Sequence, residues 1–384
     1  MEWIKSFLHE REKTGSLRVL QPADKKENGY VYIGEKKYLD FSSNDYLGLS
    51  THPDMKKASI EAIKTFGTSV SGSRLLSGDF LIHHYLEEKI ADFKNKESGL
   101  VFNSGYQANV GIIGSLPGKM DVIFCDKIAH ASIIDGTRLS PAKTCRFLHN
   151  DMDHLEILLK KERNKFRNAL VITETVFSMD GDVCPLKELV QLKNRYNCTL
   201  MVDEAHATGI FGRNGAGIVE KENLSENVDI IMGTFSKALG SFGAYIACSK
   251  KVKDYLVNVC RSFIYSTALP PSIVCANVMA LEIVKKEPDR RKILLENAEY
   301  FRRTLKQKGF NVKGSTQIVP WIIGDSKKTV EAGRILQEEG YRVFPIRHPT
   351  VPKGQERLRF SLNYYHDKTI LKKLCNDMSK HFKI

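Results

Sequence analysis

A lysine stands alone among small residues in "GTFSKALGSFG", residues 233–243. No charged neighbour flanks Lys237, and the adjacent Gly, Ala and Ser leave room for a bulky group to approach its ε-amine. Upstream, "LMVDEAHATGIFG" puts Asp203 at the end of an apolar run, with His206 three residues later. "NSGYQANVGIIG" puts Gly105 and Tyr106 where a helix begins. An amine, a carboxylate and a helix start are what a lysine Schiff base with pyridoxal 5′-phosphate (PLP) requires. Asp203 would keep the pyridine nitrogen protonated, so that the ring accepts electrons from a carbanion. His206 would reach the phenolic oxygen. Backbone N–H groups at Gly105 and Tyr106 would cup the phosphate, helped by the hydroxyls of Thr234 and Ser236.

Each residue also has an ordinary reading. Lys237 could be solvated, Asp203 a helix cap, His130 a satisfied histidine, Ser178 and Thr234 turn formers. The adjacent His83 and His84 fit a helix surface or a packing role. What favours chemistry is the order of the set, with its members just after successive strand-like runs. Asp203-Glu204-Ala205-His206 also spells the DEAH string of nucleic-acid helicases. That reading needs a phosphate loop, G-x-x-x-x-G-K-[ST]. The nearest text, "GSLPGKM" at 114–120, is one residue short and has Met120 where a hydroxyl should stand.

The elements that must position these residues alternate regularly. "GLVFNSG", "DVIFCD", "TCRFLHN", "ALVITETVF", "TLMVDEA", "DIIMGTFS" and "GAYIACS" are strand candidates, most of them separated by helical text. That pattern predicts an α/β fold with a mostly parallel, seven-stranded, helix-covered sheet in a large domain. An amphipathic helix and a hairpin occupy residues 1–44, the large domain 45–280, and a smaller α+β domain 281–384. In the last, "IVPWIIGD", "YRVFPIR" and "RLRFSLN" read as strands and "DRRKILLENAEYFRRTLKQKG" as a helix. The formal charge is +13, with Lys doublets spread along the chain rather than clustered, which favours a solvated surface over a nucleic-acid interface. Eight cysteines without CxxC spacing suggest neither zinc nor a disulfide frame, and the candidate set has no metal-ligand spacing. No signal-like or membrane-length apolar run is present, so a cytoplasmic protein without membrane partners is expected.

"GTFSKALGSFG", "FSSNDYLGLS", "SGSRLLSG", "LVFNSGYQAN", "DKIAHASIIDG", "TETVFSMDGDVCPL", "VDEAHATGIFG" and "RHPTVPKGQERLRFSL" together resemble the α-oxoamine synthases. These are PLP enzymes of the aspartate-aminotransferase-like fold (type I) that join a small amino acid to an acyl thioester with loss of carbon dioxide. The resemblance covers nearly the whole chain. It implies that Lys237 holds the cofactor, with Asp203 and His206 at the ring nitrogen and phenolic oxygen. His130 would stack on the ring, Ser178 would line its pocket, and Gly105, Tyr106 and Thr234 would lie on the phosphate side. Asn44 and Arg359 would receive the amino acid, and Arg18 and Thr350 the acyl substrate. Ser266 and Thr267 would reach the phosphate of a neighbouring subunit, implying a homodimer with shared active sites. "HNDMDHLE" and "IRHPTVPKGQERLR" are most similar to the member that condenses L-alanine with a pimeloyl thioester, pimeloyl-CoA or pimeloyl-acyl-carrier protein. Glycine C-acetyltransferase is the alternative enzyme, and a catalytically dead scaffold the non-enzymatic one. One departure bears on the amino-acid pocket: Ser69 and Ser71 stand in "GTSVSGSR" where the family usually has glycine.

Overall fold

A computed structural model of the chain describes residues 1–14 and 16–382. An exposed helix, Glu2–Lys13, leads into a hairpin of β1 (Lys25–Glu27), β2 (Tyr30–Ile33) and β3 (Lys36–Asp40). The next strands are β4 (Ser98–Phe102), β5 (Val122–Asp126), β6 (Lys143–Phe147), β7 (Ala169–Glu174), β8 (Thr199–Asp203), β9 (Ile230–Thr234) and β10 (Ala244–Cys248). They form one seven-stranded sheet in the order β4-β10-β9-β8-β7-β5-β6. The neighbours from β9 to β6 pair in parallel, and β10 runs antiparallel to both β9 and β4. All seven runs expected from the sequence are therefore strands. Every residue of β5, β7, β9 and β10 is buried. Coverage on both faces explains why these strands read as continuous apolar runs rather than alternating ones.

Leu49–Ser178 and Val183–Lys292 make one compact unit around this sheet. The core under one face joins Leu100, Ile123, Ile172, Met201 and Ile246 to Ile112 and Ile133 from the helices Gly105–Ser115 and Ala131–Leu139. The helix Pro53–Phe66 ends at Gly67, whose φ of 79° reverses the chain. Ser71 adopts a φ of 52°, a left-handed backbone usual for glycine. This is one of the two positions where the resemblance implies glycine.

The second unit contains Met1–Gly48, Met179–Asp182 and Ile293–Ile384. Its strands are β1 to β3, β11 (Ile318–Ile322), β12 (Tyr341–Arg342), β13 (Pro345–Ile346) and β14 (Arg357–Ser361). "YRVFPIR" is not the single strand expected. Tyr341–Arg342 joins β3 in parallel, and Pro345–Ile346 joins β14 antiparallel in a different sheet. Pro345 has no N–H to donate, and the chain places it on the outer strand of β11-β14-β13.

A buried ion pair braces the turn after β8. Lys94, last residue of the helix Leu81–Lys94, donates to the Glu204 carboxylate at 2.7 Å, to Thr208 at 3.0 Å and to the Ala216 carbonyl. Glu204 also accepts from the Val219 amide at 2.9 Å, and a Cβ at Gly217 would collide with its carboxylate. Burial alone would pull the Lys94 pKa down, but Glu204 and Tyr245 outweigh it and hold the ammonium above its ordinary value. Lys94→Met leaves a buried carboxylate without its cation. It should cost about 3–5 kcal/mol in denaturant unfolding; a loss near zero would show that the pair does not brace the turn.

Candidate active site

The parallel strands deliver their last residues to one edge of the sheet. Asp203 ends β8, Glu174 ends β7 directly opposite it, Asp126 ends β5 and Thr234 ends β9. Asp203 is 5% exposed and is held at both oxygens. One accepts from the Ala205 amide at 2.8 Å, the other from the Asn109 side-chain amide at 2.9 Å. The same Asn109 nitrogen reaches the Ser132 hydroxyl at 2.9 Å, and that hydroxyl meets His130 Nδ1 at 2.8 Å. The Ser132 amide also donates to Nδ1, at 3.2 Å. With Nδ1 accepting, the imidazole carries its proton on Nε2. An ordered chain of bonds thus links Asp203 to the ring of His130.

Three influences act on His130. The protein around its ring penalises the charged form most, Asp203 favours it, and Lys237 disfavours it; together they lower the pKa. The ring therefore stays neutral at pH 7. Its backbone N–H donates to Glu174 at 2.7 Å. Glu174 is pushed up to about 8, first by burial and then by the charge of Asp203, with the His130 amide and Lys237 opposing. The charge of Lys237 is thus felt at both groups.

The lysine loop, between β9 and β10, is tightly tied. Thr234 Oγ1 donates to the Gly243 carbonyl at 2.8 Å, lies 2.6 Å from Ser236 Oγ and accepts from the Ser236 amide at 3.2 Å. The Gly240 amide closes a turn onto the Lys237 carbonyl at 2.9 Å. Gly240 has a φ of 61°, and a Cβ there would strike the Ser50 amide. His206 is buried; Ser178 and Lys237 are half-buried. Gly105 and Tyr106 open the helix Gly105–Ser115, capped by Ser104, which accepts from the Gln107 amide at 3.2 Å. Their first-turn amides have no acceptor within the helix and can hold an anion.

Ser266 and Thr267 have partners within their own chain. Gln107 donates to Ser266 Oγ at 2.8 Å, and Asn103 to the Thr267 carbonyl at 2.8 Å. Thr267 also bridges Ser73. The backbone is pinned beside the start of the helix Gly105–Ser115, while Thr267 itself is exposed.

In the second unit, the structure brings Arg359 and Asn44 together. Arg359, 7% exposed on β14, donates to Asn44 Oδ1 at 3.3 Å, to Tyr46 Oη at 3.2 Å and to Ser361. Tyr46 in turn donates to Asn44 at 3.0 Å. Burial raises the Tyr46 pKa against the influence of Arg359, so the phenol stays neutral. Arg18 and Thr350 also meet, at 3.5 Å.

The first unit's residues suit PLP. A buried carboxylate fixed by two donors, a lysine, a buried histidine and a helix start with available amides share one sheet edge. Asn109 Oδ1 is buried without a hydrogen-bond partner, an atom whose site awaits a polar neighbour. Comparison with known proteins agrees. Residues 36–377 match the family described as aminotransferase class I and II, and the chain belongs to it. It is a PLP-dependent enzyme of the α-oxoamine synthase group, with the aminotransferase-like fold. A Bacillus cereus (strain Q1) protein named "Putative 8-amino-7-oxononanoate synthase" is 46% identical over 360 residues, 94% of this chain and 90% of that protein. Serine palmitoyltransferase of Sphingomonas wittichii superposes with a TM-score of 0.93 at 30% identity, covering 98% of this chain and 96% of that one. An 8-amino-7-oxononanoate synthase from Francisella tularensis superposes with a TM-score of 0.78 at 30% identity, covering 90% and 97%. Another serine palmitoyltransferase structure, from S. paucimobilis, contains a PLP–myriocin aldimine; its TM-score is 0.91 at 30% identity, over 98% of this chain and 96% of that one.

Sequence reasoning missed Asn109, Ser132 and Glu174. Asn109 lies four residues after Gly105, on the same helical face, so its spacing was a usable signal. Glu174 was hidden inside the run "ALVITETVF". Its titration has a measurable consequence. Folded, Glu174 keeps its proton to about 8; unfolded, it loses it near 4.5. Between those values the unfolded chain binds fewer protons, so stability falls as pH rises and levels off above about 8. Glu174→Gln cannot titrate, so cofactor-free variant should gain on wild type through that window, by up to about 1.4 kcal/mol per pH unit. Unfolding curves at several pH values test this, and a pH-independent difference would refute it.

Proposed function

We propose that the enzyme condenses L-alanine with a pimeloyl thioester to give 8-amino-7-oxononanoate, carbon dioxide and the free thiol. The observation that carries this reading is the 46% identity over 94% of the chain, joined to a lysine loop and a fixed carboxylate at one edge of the seven-stranded sheet. Lys237 would hold PLP, Asp203 the ring nitrogen, His206 the phenolic oxygen, and Ser178 and His130 the ring. Gly105, Tyr106, Thr234 and Ser236 would hold the phosphate. The bound cofactor supplies an electron sink for the amino acid's α-carbon.

The chain's own residues would then act as follows. Arg359, oriented by Asn44 and Tyr46, grips the amino acid's carboxylate with two N–H donors until it departs as carbon dioxide. Lys237, as a free amine, removes the α-proton and later returns one to the same carbon. Neutral His130 offers its Nε2–H to the oxygen that gains charge as the thioester carbonyl is attacked. Asn109 and the Ala205 amide hold Asp203 in place with one bond to each of its oxygens. A second reading, a longer acyl thioester, draws on the higher TM-scores of the serine palmitoyltransferases.

A product assay decides between them: alanine, glycine and serine, each against acetyl, pimeloyl and palmitoyl thioesters. Alanine with the pimeloyl thioester should give the fastest turnover; preference for serine with palmitoyl would replace the reading. Borohydride reduction should fix the cofactor on Lys237 alone, and a label on any other lysine would refute its role.

The protein would work in the cytoplasm as a homodimer with shared sites, Ser266 and Thr267 reaching the partner's phosphate. In support, Leu76 and Leu81 are 83% and 87% exposed, large apolar surface that association would cover. Leu76→Glu should shift sedimentation from dimer to monomer. A dimer that persists in Leu76→Glu, Leu81→Glu would place the interface elsewhere.

A further inference from the structure

Asn109 is wholly buried on the helix Gly105–Ser115, and both N–H groups of its side-chain amide are used. One donates to Asp203 and the other to Ser132 Oγ, each at 2.9 Å. The amide can stand only one way round. Turned over, its oxygen would face the Asp203 carboxylate, acceptor against acceptor. That orientation leaves Asn109 Oδ1 buried without a hydrogen-bond partner. A buried, unsatisfied oxygen is unfavourable, and the two donated bonds are what offsets it.

The direction of each further bond follows. Ser132 is 1% exposed, and its hydroxyl has one proton to give. Since the hydroxyl accepts from Asn109, that proton goes to its other neighbour, His130 Nδ1, 2.8 Å away. The Ser132 amide donates to the same nitrogen at 3.2 Å. Two donors therefore converge on Nδ1. A proton placed there would meet the amide hydrogen and would force the hydroxyl to turn away from the ring. The charged groups around His130 do not choose between its nitrogens in this way. Asp203 favours the charged ring, Lys237 disfavours it, and Glu174 accepts from the backbone amide instead.

We propose that Asn109 is a positioning residue that acts on two groups of the site at once. With one N–H it fixes the carboxylate of Asp203. With the other it aims the Ser132 hydroxyl, which holds the His130 imidazole in its Nε2–H form. The ring can then donate to an oxygen that gains charge, whereas the opposite tautomer would present a lone pair to that oxygen. The inference rests on the roles given to Asp203 and His130 above, and adds the residue that sets both.

The test uses the PLP-loaded enzyme labelled with 15N-histidine, with the His130 signals assigned by their loss in His130→Asn. In wild type, Nε2 should carry the proton and Nδ1 should not. Ser132→Ala and Asn109→Ala should each let the Nδ1–H form appear. Each also removes support for the neutral ring, so the His130 pKa should rise. The acid limb of kcat should then move up by about one pH unit, the scale of one hydrogen bond. Because both residues act through one chain, the double variant should shift no further than either single one. Asn109→Ala should also alter the absorption band of the bound cofactor through Asp203, and Ser132→Ala should not. Retained cofactor absorbance shows that a variant is folded; if Asn109→Ala loses it, the wild-type and Ser132→Ala spectra decide. A proton on Nδ1 in wild type overturns the proposal. So do an unmoved tautomer and acid limb in Ser132→Ala, shifts that add in the double variant, or the same cofactor band in both single variants. The tautomer is read without turnover, so an enzyme with the expected spectrum that converts no thioester would sink the condensation reading alone.

Discussion

Two carboxyl groups, Glu174 and Asp203, sit side by side at the ends of adjacent parallel strands, both nearly sealed from water. Most of the site follows from that pairing. Burial and then the charge of Asp203 push Glu174 up to about 8, so it keeps its proton near neutral pH. The donors differ as well. Asp203 takes two N–H bonds, from Ala205 and Asn109. Glu174 receives one, from His130. The result is one carboxylate fixed at both oxygens and one neutral carboxyl that anchors His130. A sheet with alternating strand directions would scatter these ends over two edges. The parallel order β9-β8-β7-β5 keeps Thr234, Asp203, Glu174 and Asp126 on one.

The strands were legible because burial on both faces writes a continuous apolar run, which needs no knowledge of neighbours. Asp203 and Thr234 could be placed for the same reason, as polar residues that close such runs, whereas Lys237 stood out by its isolation among small residues. Ser132 and Glu174 were not legible, since their importance lies in which residue they touch across 23 and 44 positions of sequence, and spacing alone does not carry that. "YRVFPIR" misled because its composition fits a strand, while Pro345 divides it between two sheets. Ser266 and Thr267 drew attention for their place in the family, yet their bonds to Gln107 and Asn103 were invisible.

The expected roles of Arg359 and Asn44 came from resemblance, and the structure adds a physical reason for the pairing. Arg359 is nearly buried, and a buried guanidinium must satisfy several N–H groups at once. Asn44, Tyr46 and Ser361 do this with neutral oxygens, leaving the positive charge uncancelled by these partners. Ser71 shows the opposite economy. Its backbone adopts the left-handed turn that favours glycine, with a hydroxyl and a Cβ on it.

The DEAH string shows why short motifs need their surroundings. Successive residues at a strand end point to opposite sides. Asp203 turns toward Asn109 and the strand-end cluster, whereas Glu204 turns toward Lys94, Thr175 and the Val219 amide. In a helicase the two acids would serve a metal-bound nucleotide together. Here they face different neighbours: Asp203 meets Asn109 and the strand-end cluster, and Glu204 is locked behind it by a buried cation. Because Lys94 also holds Thr208 and the Ala216 carbonyl, the whole turn that carries His206 is fixed from the rear. The same four letters therefore describe a carboxylate and an imidazole set in place by a structural ion pair, and the residue that distinguishes the two meanings lies 110 positions away, at Lys94.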